Sequence, residues 1–252
     1  MRRRTVLLLA VASVVALGCA RLGFWQLGRL ADRRAANALV ASRLDSAVVG
    51  VERVPADTAA SRYRRVALRG TFDFAHEVVL AGRSRNGSPG VNFLTPLRLA
   101  GRDTAILVNR GWVYSPDAAR VDAARWREPA AAEIVGFVNA YHDPSTGPAQ
   151  LGTGRTIRRL DPAALDTLVP YPLARFHVVA TSAPLDSATA PVRLAPPPLD
   201  EGSHAGYAFQ WFTFAAVALG GAIVLAVHDR RRLTAAAPSP SRPAPAGSPP
   251  AR

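Results

Sequence analysis

Of 252 residues one is cysteine, one is methionine and none is lysine. A lone Cys19 gives a folded domain no internal disulfide, so a domain facing an oxidising compartment must hold by its core alone. With the single methionine at the start, the chain cannot supply a soft thiolate or thioether set for copper. Cys-x-x-Cys-His, a phosphate-binding glycine loop and the Gly-x-Ser-x-Gly nucleophile are all missing. The absence of lysine, with heavy use of Ala and Arg, reads as composition rather than chemistry, because the two cations separate only through specific contacts. Gly18 and Cys19 behind Arg2, Arg3, Arg4 and an apolar run resemble a secretory or lipoprotein signal. Ala16 and Leu17 are not the usual residues before a lipidated cysteine, and Cys19 reads as a small apolar helix residue.

Acid is scarce at both ends. Residues 1–30 carry five Arg and no Asp or Glu, and residues 204–252 carry five Arg and only Asp229. The middle holds 21 Arg against 17 acids, so much of the net +13 lies beside two apolar segments rather than on a nucleic-acid face. Residues 207–227 run 21 positions without a formal charge, enough for the roughly 20 that cross a hydrocarbon core. Residues 5–20 are shorter, but residues 22–27 extend them past Arg21, which can snorkel to the headgroups. Arg2, Arg3 and Arg4 before the first segment, and Arg230, Arg231 and Arg232 after the second, place both termini in the cytoplasm or the topologically equivalent mitochondrial matrix. The expected division is a cytoplasmic N-terminus at 1–4, a transmembrane helix at 5–28, an extracytoplasmic domain at 29–203, a second transmembrane helix at 204–227 and a cytoplasmic disordered tail at 228–252. The tail is rich in Ala, Pro and Ser and cannot bury a core.

Between the segments the hydrophobic period changes. Residues 32–44 keep helical spacing and continue the first anchor; residues 50–62 form a polar linker. Residues 66–72, 77–81, 91–99, 104–113, 133–140, 156–160 and 176–181 read as strands, with a turn-rich loop at 82–90 and a hairpin turn at 100–103. Residues 118–126 and 162–168 read as short helices, the second with Asp161 as N-cap and Pro162 at its first position. Residues 142–154 read as loop. The fold class expected is an α+β membrane protein in which two transmembrane helices flank an antiparallel β-rich extracytoplasmic domain.

Three stretches together resemble the Surfeit locus protein 1 family, the assembly factors of haem-copper cytochrome c oxidase. They are Leu22-Gly23-Phe24-Trp25-Gln26-Leu27-Gly28-Arg29, Val108-Asn109-Arg110-Gly111-Trp112-Val113 and His204-Ala205-Gly206-Tyr207-Ala208-Phe209-Gln210-Trp211. The loop at 82–90 and the Thr95-Pro96 segment resemble it too; Tyr114-Ser115-Pro116 departs from it, since Pro often follows the Trp-Val pair directly. The resemblance covers residues 20–230. It implies a non-enzymatic chaperone of the respiratory chain in the bacterial inner membrane, which binds haem a non-covalently or stabilises its insertion into the oxidase catalytic subunit. Haem a synthesis machinery is a further implied partner. The alternative is a purely structural scaffold for an oxidase subunit, without haem contact.

His204, Tyr207 and Trp211 stand at i, i+3 and i+7 on one helix face, with Gln210 beside them. A neutral His204 imidazole there is the candidate iron ligand, with Tyr207 and Trp211 as flat apolar walls. An interfacial aromatic belt has the same composition. On the first segment Trp25 and Arg29 share a face, and Arg29 is the candidate for a haem propionate, with Arg21 a lesser one. Binding of lipid phosphates by Arg29 and Arg33 is the other reading. Arg110 and Trp112, at a strand end marked by Gly111, are candidates for a partner-subunit surface; a core role for Trp112 and a capping role for Arg110 stand beside it. His76, His142 and His177 have no metal-site spacing and read as surface or loop residues.

Overall fold

The computed structural model describes residues 3–55, 58–141, 154–183 and 189–235, with side chains to residue 232. The expected disordered tail beyond 235, His142 and nearly all of the loop at 142–154 lie outside them. The chain divides into two units, Met1–Asn37 with Asp200–Arg252, and Ala38–Leu199.

In the second unit, alternation builds a barrel wall. Strand β1 is Val49–Gly50, β2 Arg65–Phe72, β3 Val78–Arg85, β4 Ser88–Arg98, β5 Ala105–Tyr114, β6 Ala131–Ala140, β7 Thr156–Ile157 and β8 Leu173–Ala180. The sheet runs β1-β2-β6-β8-β5-β4-β3-β7, and a further β2–β4 pairing closes β2, β6, β8, β5 and β4 into a ring. Val66, Leu68 and Phe72 of β2, Ile106 and Val108 of β5, and Phe176 and Val178 of β8 belong to one buried cluster inside it. Leu107 turns the other way, into a second cluster with Val78, Leu80, Leu94, Ile157 and Leu165. Two apolar layers therefore share β4 and β5, which explains why β5 is buried along nearly its whole length instead of alternating. Leu165 comes from helix α3, Pro162–Leu168, whose Asp161 cap accepts from the Ala163 amide.

Three expectations about the elements need correction. The sheet is mixed rather than antiparallel, because β5 pairs with β8 in parallel, as do β1 with β2 and β3 with β7. Alternation within a strand carries no information about the direction of its neighbour. The helix expected over 118–126 is a turn followed by a 3₁₀ segment at Ala123–Trp126. The Asp117 carboxylate takes the amides of Ala119 and Arg120, and Ala118 sits at φ 52°, so a local turn replaces the helical ladder. The strand expected at 156–160 shortens to β7. Asn86 and Gly87, both at positive φ, turn β3 into β4. A four-residue helix α2, Thr58–Ser61, precedes β2.

The first unit holds most of α1, Arg3–Leu44, and α4, His204–Ala235. Both are long and apolar enough to cross a membrane. Their least exposed positions are 5, 9, 12, 16, 19, 23, 26 and 30 on α1 and 204, 208, 211, 215, 218, 222, 225 and 229 on α4, with Ala20, Phe212 and Ala226 at the margin. Steps of four and three repeat without a break, the heptad of a left-handed helix pair. Most of these residues are small, which lets backbones approach where lipid removes the hydrophobic drive to associate. A Cβ on Gly23 would lie 2.8 Å from the Phe212 ring, and Phe24 meets that ring edge-on at 5.1 Å. Leu7, Val14, Leu17, Phe209, Val217 and Val224 point away from the seam, exposed.

Candidate functional site

The seam ends in a polar pair. α4 begins at His204, behind a turn in which the Gly202 amide donates to Asp200 Oδ1 at 3.0 Å with Gly202 at φ 68°. The His204 Nδ1 lies 2.8 Å from Gln26 Oε1 of α1. An amide oxygen only accepts, so the bond forms with Nδ1 protonated, and in the neutral ring Nε2 is then the nitrogen with the lone pair. The half-buried imidazole is thus held in the tautomer that can bind a metal through Nε2. A Cβ on Gly202 would stand 3.9 Å from Nε2 and 3.7 Å from Cδ2, ordinary contact distances, so residue 202 lies against that edge of the ring and brings no side chain to it.

The register that brings these groups together is fixed from both sides. One turn below Gln26 is the Gly23–Phe212 contact. Above it, Arg34 donates twice to Glu201, at 2.7 and 2.8 Å, while Arg33 and Asn37 donate to the Asp200 carbonyl at 3.1 and 2.8 Å. The bond from Arg34 holds the Glu201 carboxyl below the usual carboxylate range.

The other residues singled out in the sequence are placed around this pair. Trp211 is half-buried further along the seam, edge-on to Phe214 at 5.9 Å. Tyr207 and Trp25 flank it at 49% and 56% exposure. Arg21, Leu22, Phe24 and Trp25 line an open apolar recess of about 730 Å³ on α1. Arg29 is exposed and paired with Asp32 at 3.2 Å. Gln26, three positions from Arg29 in the cluster on the first segment, was given no role of its own. Its signal was its place in the first of the three stretches, one polar residue at a heptad position among small ones.

Arg110 and Trp112 are both buried inside the barrel unit, Arg110 completely, and neither side chain is presented to a partner. The reason is a β-bulge. Phe93 pairs with Gly111 and Leu94 with Asn109, so Arg110 has no opposite residue and its side chain is re-aimed inward. Gly111 at φ 133° makes the bend, and its missing Cβ would meet the Val192 carbonyl at 2.3 Å. The adjoining Trp112 exchanges backbone hydrogen bonds with Val192 at 2.8 and 2.9 Å. The buried guanidinium donates to Glu77 at 2.6 Å, Glu128 at 2.9 Å, Thr95 at 2.8 Å and the Trp126 carbonyl at 2.8 Å. Phe74, Phe93 and Phe72 surround its carbon at 5.1, 5.5 and 5.8 Å. Arg193 closes the network on Glu128. A cation inside an otherwise buried strand calls for buried acids; Glu77 and Glu128 are those acids, and sequence reasoning overlooked both.

A third polar cluster joins Asp73, His76 and Tyr171: Tyr171 donates to Asp73 Oδ2 at 2.6 Å and His76 Nδ1 stands 2.7 Å from the same oxygen. Burial pushes Asp73 up, but the bonds from Tyr171 and His76 outweigh it and hold the carboxyl below its usual range. His177, expected at the surface, is buried in β8 and stacked on Tyr141 at 5.6 Å, because alternation points it into the outer apolar layer. Among the described residues no three His, Cys, Asp or Glu side chains gather as a metal site.

Comparison with known proteins adds three findings. A sequence model described as the SURF1 family matches residues 13–216, which contain all three stretches quoted above. A SURF1-like protein of Monosiga brevicollis is 34% identical over 102 residues, 36% of this chain and 39% of that protein. A SURF1-like protein of Drosophila melanogaster is 32% identical over 123 residues, 42% of this chain and 39% of that protein. The chain thus aligns with about two fifths of each relative's length.

Proposed function

Because the chain belongs to the SURF1 family, we propose that it is a membrane-anchored assembly factor for haem-copper cytochrome c oxidase. In this reading it holds haem a non-covalently at the His204 end of the helix pair, on behalf of the oxidase catalytic subunit. The observation that carries the haem contact is the His204–Gln26 bond, which leaves Nε2 as an available nitrogen donor. Haem a, when bound, would supply an iron that takes a nitrogen ligand, a broad apolar surface and two propionates. The residues present fit that chemistry. His204 would supply the nitrogen, and Phe24, Trp25 and Tyr207 are exposed rings on the same two helices. Arg29, whose exposed pair with Asp32 is weak, supplies a guanidinium able to turn to a propionate, with Arg21 in reserve. The chain acts by binding and orienting; no reaction step is assigned to it. The three arginines outside each apolar segment support a multi-pass placement in a bacterial inner membrane, with both termini cytoplasmic and residues 29–203 outside.

The test is to co-express the chain with a haem a-synthesising pathway and purify it in detergent. The expected product carries a haem a absorption spectrum that His204→Ala abolishes or alters. A spectrum unchanged by that substitution removes His204 from the site. No haem in any preparation, with an oxidase subunit still co-purifying, replaces this reading with that of a structural scaffold. Reporters placing residues 60–200 inside the cell would refute the topology.

A further inference from the structure

We infer that Gln26 is the positioning residue for His204, setting which nitrogen faces the iron and how basic it is; this rests on the haem reading above. Three features of the helix pair carry it. The Gln26 Oε1 is within 2.8 Å of Nδ1, so it accepts from that nitrogen and favours the neutral ring's lone pair on Nε2. The bond crosses between α1 and α4, so the ring's orientation depends on helix register and not on the rotamer of one residue. That register is set by the Gly23–Phe212 contact on one side and, on the other, by the bonds of Arg33, Arg34 and Asn37 to Asp200 and Glu201 taken together. Gly202 is the third feature: it lies beside Nε2 and brings no side chain to the nitrogen that Gln26 leaves unbonded.

A hydrogen bond to the distal nitrogen of a metal-binding histidine fixes the tautomer and raises ligand basicity, and its loss typically weakens binding about 10–100-fold. An amide oxygen does this gently. A carboxylate in its place draws the Nδ1 proton harder and makes Nε2 a stronger donor, which favours ferric over ferrous iron. Gln26→Leu and Gln26→Glu therefore separate the two effects.

The experiment uses the full chain in detergent with ¹⁵N-labelled histidine, the His204 signal assigned by its loss in His204→Ala. In haem-free protein the expected state is Nδ1-protonated, retained in Gln26→Glu and lost to a tautomer mixture in Gln26→Leu. Titration with ferric haem a is then expected to show about 10–100-fold weaker binding in Gln26→Leu. Gln26→Glu is expected to keep the affinity within that range and move the haem midpoint potential negative. Unchanged tautomer and affinity in Gln26→Leu overturn the assignment. Should Gln26→Leu fail to fold, Gln26→Glu decides it: an unshifted midpoint overturns the role. If the wild type shows the Nδ1-protonated state but binds no haem a, the haem reading has failed, and Gln26 is reduced to a helix-pair contact.

Discussion

Arg110→Met is the substitution whose cost the structure defines best. The guanidinium it removes is fully buried and contacts two carboxylates whose side chains are themselves only 5% and 7% exposed. Glu128 keeps Arg193 after the change. Glu77 keeps only the Thr95 hydroxyl, so one buried carboxylate is left without a cation. Removing one partner of a buried pair costs about 3–5 kcal/mol, because the remaining charge is neither solvated nor neutralised. At the 2–4 °C per kcal/mol typical of a domain of 150–250 residues, that is a fall of about 6–20 °C in Tm. Pairing the change with Glu77→Met removes the orphaned acid, and apolar replacement of a buried pair is often nearly neutral. The double variant should therefore melt above the single one. Calorimetry of the full chain in detergent, checked by near-ultraviolet circular dichroism, reads both. An Arg110→Met protein within 1 kcal/mol of wild type, or a double variant less stable than the single, would show that the network is not what holds the bulge.

Three further outcomes follow from the geometry. Asp117 accepts from the amides of Arg120 and Ala119 and from Ser115, which lowers its pKa to about 2; its contribution to stability is complete above the unfolded value near 4 and disappears as pH falls through about 2. The Tm difference between wild type and Asp117→Ala should therefore be constant above pH 5 and narrow below pH 4. Gly111→Ala places a side chain at φ 133° and against the Val192 carbonyl, and should lower stability by more than about 1–3 kcal/mol, with faster amide exchange at Trp112 and Val192. Glu201→Gln breaks an exposed ion pair and should leave the Tm nearly unchanged in low salt, with any difference shrinking as salt rises.

Local signals in the sequence were the readable ones. Asp161 followed by Pro162 marks a helix start because one side chain and one missing amide suffice to define it. Asn86 and Gly87 mark a hairpin for a similar reason: the backbone conformation they tolerate is the turn itself. What was hidden depends on partners distant in sequence. The parallel β5–β8 pairing joins Ala105 to Leu173, and nothing in either strand names the other. For Arg110 a partner surface and a capping role stood side by side in the sequence, because the bulge that turns it inward is invisible in alternation. The His204 face was legible as i, i+3 and i+7, but Gln26 acquires meaning only when two heptads 178 residues apart are laid together. Asp117 shows the opposite failure: helical propensity nearby was outvoted by one carboxylate bonding its own backbone.

The parallel strand β8 also sets when the barrel can exist. It fills the gap between β5 and β6, and it is the last of the eight strands to leave the ribosome. Until Leu173–Ala180 is made, β5 and β6 each expose an unpaired edge, while the β3–β4 hairpin and its β5 neighbour are already complete. Ring closure is a long-range event of the kind that folds slowly, so a nascent chain of this design spends its synthesis with two sticky borders, and a helper protein would be needed most during that interval.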